Sequence, residues 1–549
     1  MAIAVPRGVR PGEPVTVGVF HGMPRTEAAI WLVGTAFLAA IVFFDLGPPL
    51  AYNDDWGFAW SARHFASGHF SMYPADSALA LPQVAFAALV TAGHTDQRIL
   101  RLTLVPFVVL AGFCSHRLAS MLGAGRFWSA VAAVALVASP VYASDATTFM
   151  TDIPYVALVL GAALAGAVWL RDGRLSWLCV LLAVLCPLQR QTGALLAPAL
   201  TVAVLWVRGR RLRRADTIAL ATLWIGVILA IWLPAAIGMA PPTQGQRLGQ
   251  LAGRPFYIVL AALLFIPPML GMAVLPFAAG LLDRAPTGSR DWRGPLFLGL
   301  LAWEAAMYFL VGMPLFPGNL LQAHGLGAPS MVGAYLKPSP YPDALYALYG
   351  VLYIVAGAIV LAWRHRDWRA HVRNPIVALL ACMAAAQVGS LLVYNYVAFD
   401  RYYLPLGALI VPFMAVLASR TARPRPAAAI AISSLLVGLL MYAAGQQDYQ
   451  AWIDARDQAA RMAFAQFPPD RVDAGYEANA VYVEIPTYER TGRILSGLAH
   501  EGAYDYSLDG PTNPVLRLQF AAADDPRPGV SYQSLAPGRI VIARVKRRH

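Results

Sequence analysis

Charged side chains are scarce in this sequence. Of its 549 residues, 13% are Asp, Glu, Lys or Arg, and 58% are hydrophobic. Soluble domains contain about 25% charged and about 45–50% apolar residues. The composition therefore excludes an ordinary soluble domain and predicts a polytopic α-helical membrane protein.

Cysteines are few, and phosphate-binding loops are lacking. The four cysteines lie in apolar runs without the spacing of metal ligands: Cys114, Cys179, Cys186 and Cys382. This pattern predicts small buried hydrophobic residues and no disulfide framework. No Gly-rich loop of the kind that cradles nucleotide phosphates occurs in a soluble segment, so we expect no nucleotide site.

Long apolar runs, by contrast, are abundant. A helix needs about 20 mainly apolar residues to cross about 30 Å of hydrocarbon. About thirteen transmembrane helices are predicted, at residues 27–46, 98–121, 127–143, 153–170, 175–188, 192–207, 217–236, 256–281, 295–313, 343–363, 375–397, 403–419 and 427–445. The shorter segment 78–93 contains Pro82, and we expect it to form a re-entrant or interfacial helix. Residues 1–26 lack a cleavable signal, so the first apolar run should be retained as a helix.

Arginine is distributed unevenly among the predicted loops. One set of alternate loops carries about three times as many arginines as the opposite set, which the positive-inside rule assigns to the cytoplasm. The richest of these loops holds Arg208, Arg210, Arg211, Arg213 and Arg214. We therefore expect a cytoplasmic N-terminal tail and, after thirteen crossings, an extracytoplasmic C-terminus. The net charge of +12 is explained by this orientation, without nucleic acid as a partner.

Three parts of the chain follow from these patterns. Residues 1–26 form the cytoplasmic tail, 27–445 the transmembrane domain, and 446–549 a polar segment of mixed charge. Apolar and polar residues alternate at 480–485 and 539–545, which predicts strands and hence a small extracytoplasmic α/β domain. The outer loops 47–97 and 314–342 are long, and loops of such length are usually functional or mobile.

Acidic residues mark the outer ends of two predicted helices. Asp54 and Asp55 follow the first helix, and a carboxylate at a partly buried boundary can accept a proton from a hydroxyl. Adjacent helical residues point about 100° apart, so both are not expected to do one job. Asp152 precedes Pro154 and would orient an acceptor or bind a divalent cation opposite Asp54. For Asp54 and Asp152, as for Asp145, helix capping is the alternative.

Basic residues are few on the outer side. Arg190 and Arg401 lie at helix boundaries, where a guanidinium can clamp a phosphate or extend toward lipid headgroups. Arg98 and Arg101 are expected to anchor the second helix at the membrane surface. His64 is a candidate substrate-binding residue in the first loop, although the spacing of the loop histidines matches no compact metal motif.

Three short motifs resemble the GT-C glycosyltransferase superfamily, in particular its family 39 or PMT-like branch. They are the acidic pair Asp54-Asp55, the run Met150-Thr151-Asp152-Ile153-Pro154, and the run Asp400-Arg401-Tyr402-Tyr403-Leu404-Pro405. This branch includes bacterial aminoarabinose transferases of lipid A and protein O-mannosyltransferases. The resemblance covers most of residues 27–445 in topology and only these motifs in sequence.

The resemblance implies a membrane glycosyltransferase in a bacterial inner membrane. Its donor would be a polyprenyl-phosphate sugar, and its acceptor a glycolipid, a polysaccharide or a protein. Asp54 matches the family's catalytic base, Asp55 replaces a Glu, and Asp152 matches the acid of the second loop. Arg401, Tyr402 and Tyr403 lie near the position where the family binds the lipid phosphate. The resemblance fixes no cofactor, and a divalent cation is the one candidate.

Two other classes of function remain open at this point. A transporter or flippase of lipid-linked sugars would carry inverted repeats and acids near the bilayer midplane, whereas no repeat is visible and the acids lie at the outer boundary. A structural membrane subunit would not need the long first loop.

Overall fold

The predicted apolar runs form helices wherever the structure describes them. The computed structural model describes residues 54–76, 78–92, 96–241, 262–282, 293–311, 316–318, 343–362, 373–394, 399–421, 423–468, 471–493, 506–507, 510–511, 514, 516–521, 525–532 and 538–544. The predicted tail 1–26, the first helix 27–46 and most of the loop 314–342 lie outside the described residues.

The first half of the described chain contains helices and no strand. Its α-helices are α1 (Asp55–Ala66), α2 (Leu81–Thr91), α3 (Gln97–Leu102), α4 (Val105–Met121), α5 (Arg126–Val137), α6 (Pro140–Ala146), α7 (Asp152–Asp172), α8 (Ser176–Gln189), α9 (Leu196–Arg208) and α10 (Arg214–Ala236). The segment predicted at 78–93 is thus the helix α2, with Pro82 in its first turn. Proline is tolerated there because the first N–H groups have no partner within the helix.

The second half adds further helices and a small sheet. The α-helices are α11 (Ile266–Val274), α12 (Ala278–Leu282), α13 (Arg293–Val311), α14 (Asp343–Ala362), α15 (Pro375–Tyr394), α16 (Leu404–Ser419), α17 (Pro424–Gln466), α18 (Tyr476–Asn479) and α19 (Ile485–Thr491). The strands are β1 (Val472–Asp473), β2 (Tyr506–Ser507), β3 (Gly510–Pro511), β4 (Leu516–Ala521), β5 (Gly529–Tyr532) and β6 (Gly538–Arg544).

Eight helical stretches of the described chain are long and apolar enough to cross a membrane. They are Gln97–Met121, Asp152–Asp172, Gln191–Arg208, Arg214–Ala236, Ala262–Leu281, Pro375–Leu392, Asp400–Ser419 and Pro424–Gln466. The predicted helices at 175–188, 295–313 and 343–363 are present as α8, α13 and α14, but their apolar stretches are shorter. The predicted number of thirteen crossings is therefore not confirmed.

One predicted transmembrane helix, 127–143, is broken. The helices α5 and α6 meet at an angle of 61°, and Ser139 before Pro140 has an extended backbone with ψ 137°. A residue preceding proline is pushed away from helical angles, and proline cannot donate the next hydrogen bond. If each bent pair counts as one span, the described residues contain nine candidates.

The helix α7 lies at the centre of the bundle. Of its apolar window, 89% is buried inside the protein, against 33% for α10 and 17% for α17. Its apolar residues occupy every face, as expected for a helix surrounded by others. The polar residue that begins α7, Asp152, is consequently held within protein at one end of the bundle.

The C-terminal segment differs from its prediction in two respects. The helix α17 continues without a break past residue 445, where the predicted domain boundary lay. The strand predicted at 480–485 is wrong: Ala480–Glu484 form a π-helix, which α19 continues. Ala480 and Val483 are both buried, and Ala480 packs in one apolar cluster with Trp56. Six alternating residues were too short a run to distinguish the strand and helix periods.

The strand predicted at 539–545 is confirmed as β6. It is antiparallel to β4 and β5, and β1 pairs in parallel with β4, which gives a four-stranded sheet in the order β1-β4-β6-β5. Residues of α17 and the sheet share one apolar cluster that includes Trp452, Ile453 and Leu518. This cluster joins the sheet to the long helix that rises from the bundle.

Candidate active site

Asp54 is the N-terminal cap residue of α1, but its side chain does not cap the helix. Its Oδ1 accepts a hydrogen bond from the Tyr476 hydroxyl at 2.7 Å. Its Oδ2 lies 3.4 Å from Nη2 of Arg401. The alternative of a purely capping aspartate is therefore wrong for Asp54, whose carboxylate faces two other segments of the chain.

Asp152 begins α7 on the other side of the same arginine. Arg190 forms a hydrogen-bonded ion pair with its Oδ1, and Nε of Arg401 lies 3.8 Å from its Oδ2. Its side chain is 2% exposed. Pro154 occupies the first turn of α7, as predicted, and the negative charge of Asp152 suits the positive end of the helix dipole.

Arg401 connects the two carboxylates. It belongs to a 3₁₀-helix, Asp400–Tyr403, that precedes α16, and its side chain is only 4% exposed. Within the described chain, its Nε and Nη1 are buried and make no hydrogen bond. Because this guanidinium is enclosed by protein, the alternative of contact with lipid headgroups is wrong for Arg401.

The Tyr402 ring lies near both arginines. The Arg190 guanidinium carbon is 4.8 Å from the centre of the Tyr402 ring, and that of Arg401 is 5.6 Å from it. An aromatic face attracts cations at such distances. Four charged residues that the sequence analysis identifies come together here from four separate segments: Asp54, Asp152, Arg190 and Arg401. We call these four residues and Tyr402 the charged cluster.

Asp55 points away from the charged cluster. Its side chain is fully buried, lies 3.5 Å from Nη2 of the equally buried Arg101, and accepts a hydrogen bond from the backbone N–H of Phe149. The expectation that the adjacent acids differ in role agrees with this geometry. The prediction that Arg101 anchors a helix at the membrane surface is wrong, since it pairs with Asp55 instead.

Two predicted substrate-binding residues are not brought to the charged cluster by any contact within the described chain. The Tyr403 hydroxyl donates to the carbonyl of Ala262 at 2.8 Å and is buried. His64 stacks on Trp60, with ring centroids 3.4 Å apart, and its Nδ1 lies 3.0 Å from the Trp60 carbonyl. These contacts assign both side chains to packing.

Sequence reasoning missed two residues of the site. Tyr476 binds Asp54 from 422 positions away, and nothing in its local sequence indicates this contact. Asp145 was interpreted as a helix cap, but it lies in the last turn of α6, is fully buried, and interacts electrostatically with Asp152, Arg401 and Arg190. Its signal was an acid inside an apolar run, seven residues before Asp152.

The described residues contain no group of three or more His, Cys, Asp or Glu side chains arranged to hold a metal ion. All four cysteines are free, and three of them are buried.

No protein-family model matches the chain, and no curated protein matches it in sequence. Among solved structures, the chain is similar to crystal structures of ArnT from Cupriavidus metallidurans, one bound to undecaprenyl phosphate and one in the apo state. In each case the identity is 16%, the TM-score is 0.41, and the alignment covers 93% of this chain and 98% of the ArnT chain.

Proposed function

We propose that this protein transfers a sugar from a polyprenyl-phosphate donor to an acceptor hydroxyl, with Asp54 as the general base. One observation carries the proposal: two carboxylates and two arginines from four distant segments meet at one end of an apolar helical bundle. The donor class rests on the family resemblance of the motifs around Asp54, Asp152 and Arg401.

Asp54 is suited to proton transfer because it is accessible. Its side chain is 27% exposed, whereas those of Asp152 and Asp55 are 2% and 0% exposed. An acceptor hydroxyl must come within hydrogen-bond reach of the base. Among these three acids, Asp54 is therefore the one that a substrate can approach without a rearrangement of the chain.

The reaction is a single displacement. The acceptor oxygen attacks the anomeric carbon, its proton passes to Asp54, and the bond between that carbon and the phosphate oxygen breaks. Polyprenyl phosphate leaves with the electron pair of that bond, and the configuration of the sugar is inverted.

The two arginines would stabilise the charge on the leaving phosphate. The Nε and Nη1 atoms of Arg401 are buried and donate no hydrogen bond within the described chain, so its positive charge would act on the phosphate from within the protein. Arg190 is 15% exposed, and its guanidinium carbon lies 4.8 Å from the centre of the Tyr402 ring. Fixed positive charges at the point where negative charge develops lower the barrier without reorganisation.

The experiment uses purified full-length protein with polyprenyl-phosphate sugars and candidate glycolipid, polysaccharide and protein acceptors. Released polyprenyl phosphate is measured. Asp54→Asn should reduce transfer by about 10²–10⁴-fold, the usual contribution of a general base. Asp172→Asn is the matched control, because Asp172 is exposed and pairs with Arg171 at the opposite end of α7.

Two results would contradict the proposal. An Asp54→Asn variant that transfers sugar at the wild-type rate would exclude Asp54 as the base. A wild-type protein that moves the lipid-linked sugar across a vesicle membrane without cleaving it would be a transporter instead.

A further inference from the structure

Tyr476 reaches the charged cluster from the C-terminal segment. It is the first residue of the short helix α18, after Gly475, whose φ is +90°. Its hydroxyl donates to Asp54 Oδ1 at 2.7 Å, an ordinary distance for such a bond. Arg401 faces the other oxygen of the same carboxylate. Each oxygen of the proposed base is therefore held by a different segment.

The ring of Tyr476 is fixed by aromatic packing on α1. It meets Trp56 edge to face, with ring centroids 6.2 Å apart, and Trp56 meets Tyr73 in the same way at 5.0 Å. The Tyr73 hydroxyl donates to Glu484 at 3.0 Å, and the indole N–H of Trp60 donates to Glu489 at 3.2 Å. Contacts at Tyr476 and in the residues that follow it thus join α1 and the loop after α1 to the C-terminal segment.

Residues on either side of Tyr476 in the chain are also fixed by hydrogen bonds and an ion pair. Glu477 forms a buried ion pair with Arg456 of α17 at 3.0 Å. The Asn479 side chain accepts from the N–H of Ala474 and donates to Asp473, which Arg517 of β4 binds at 3.0 Å. The hydroxyl of Tyr476 therefore has little freedom to leave Asp54.

We propose that Tyr476 is a positioning residue, which orients the Asp54 carboxylate toward the acceptor hydroxyl, so that the C-terminal segment completes the active site. This inference rests on the proposed function of Asp54. A carboxylate held through Oδ1 by one donor and through Oδ2 by another cannot rotate freely, and such pre-alignment is what an efficient base requires.

The hydroxyl of Tyr476 keeps its proton over the working range of pH. Burial, and after it the nearby charge of Asp54, raise the pKa of Tyr476 well above its ordinary value, and Glu484 and Glu477 act in the same direction. Tyr476 consequently acts as a hydrogen-bond donor, and it is not a second base.

The test is Tyr476→Phe in the full-length protein, with transfer measured as a function of donor concentration. We expect kcat to fall about tenfold, equivalent to about 1.4 kcal/mol, while KM for the donor stays nearly constant. Tyr482→Phe is the matched control, since that hydroxyl donates to Asp457, away from the charged cluster.

A folded Tyr476→Phe variant with the wild-type kcat would overturn the inference, while a loss of transfer in Asp54→Asn would still support the proposed function. A second measurement does not depend on activity. In a double-mutant cycle of thermal unfolding, Tyr476→Phe and Asp54→Ala should be non-additive. Additive effects would refute the contact between Tyr476 and Asp54. If the wild-type protein transfers no sugar, that result would count against the proposed function only.

Discussion

Asp54 and Asp55 are neighbours in sequence and differ in every structural respect. One is partly exposed and faces Arg401, and the other is fully buried beside Arg101. Removing one partner of a buried ion pair leaves the other charge unpaired, which costs about 3–5 kcal/mol. The same substitution should therefore have different effects at the two positions.

Asp55→Asn should lower thermal stability strongly, whereas Asp54→Asn should affect activity with little loss of stability. Thermal unfolding of the detergent-solubilised protein measures the first effect. Replacing both partners, as in Asp55→Asn with Arg101→Met, should recover part of the loss because no buried charge then remains alone. Equal stability of Asp54→Asn and Asp55→Asn would contradict the assigned difference.

Asp76 is a second buried carboxyl, in the segment between α1 and α2. Its Oδ2 lies 3.1 Å from Oγ of Ser61, and that hydroxyl also lies within hydrogen-bond distance of the Gly57 carbonyl. Burial raises the pKa of Asp76 well above the ordinary value of 3.8, and the charge of Asp54 adds to this effect. A protonated Asp76 can donate to Ser61, so that the Ser61 hydroxyl is free to donate to Gly57.

Asp76→Asn should raise the unfolding temperature at pH 7, with a smaller effect at pH 4. Because the folded state of the wild type holds a proton that the unfolded chain has released, its stability is greatest below pH about 4 and falls as pH rises toward the raised pKa. An asparagine amide can replace the donated hydrogen bond without this cost. Unfolding scans at several pH values check the prediction, and a shift that is the same at every pH would contradict it.

The sequence identified the residues of the charged cluster, and missed Tyr476, which a long-range contact brings to Asp54. Asp54, Asp152, Arg190 and Arg401 are polar residues next to long apolar runs, which is a local signal. The contact of Tyr476 with Asp54 depends on how α17, the sheet and α18 pack together. No periodicity within the segment encodes that arrangement.

At the scale of elements, helix positions were predictable because each depends on about 20 apolar residues in one stretch. Breaks were harder. Pro140 separates α5 from α6, although the same residue type is tolerated in the first turn of α2. The short run 480–485 fits both strand and helix periods. The structure forms a helix there, in which Ala480 and Val483 are buried.

The helices α11 and α14 approach each other closely at two glycines. A methyl group on Gly271 would collide with the backbone carbonyl of Tyr353, and one on Gly357 would collide with that of Pro267. Small residues allow such backbone contact, which is a common way for helices to associate in membranes. Neither carbonyl can move without displacing its helix.

Gly357→Ala should therefore destabilise the protein by about 1–3 kcal/mol, as expected for overpacking. Gly389→Ala is the control, because Gly389 lies in the helix α15 and a methyl group there meets no atom within 4 Å. This control should be neutral or stabilising, since alanine favours a helix by up to about 1 kcal/mol over glycine. Thermal unfolding of both variants checks the prediction, and equal effects would exclude a specific contact at Gly357.

At the scale of the whole molecule, the charged cluster and the arginine-rich loops lie at opposite ends of the same helix. Asp152 begins α7, whereas its far end is bound by a second polar group: the Trp169 indole donates to Asp216 at 2.8 Å, and Arg208 donates to the Trp169 carbonyl at 2.9 Å. A helix of 21 residues is about 30 Å long, which equals the thickness of the hydrocarbon layer.

This separation makes the orientation of the protein testable. Single cysteines are introduced at the exposed positions Ser67, just beyond α1, and Arg174, between α7 and α8, in a Cys382→Ala background where the remaining cysteines are buried. A membrane-impermeant maleimide should label Ser67→Cys in intact spheroplasts and should label Arg174→Cys only after permeabilisation, because arginine-rich ends remain in the cytoplasm. The reverse pattern would place the charged cluster in the cytoplasm, and an extracytoplasmic lipid-linked donor would then be out of reach of Asp54.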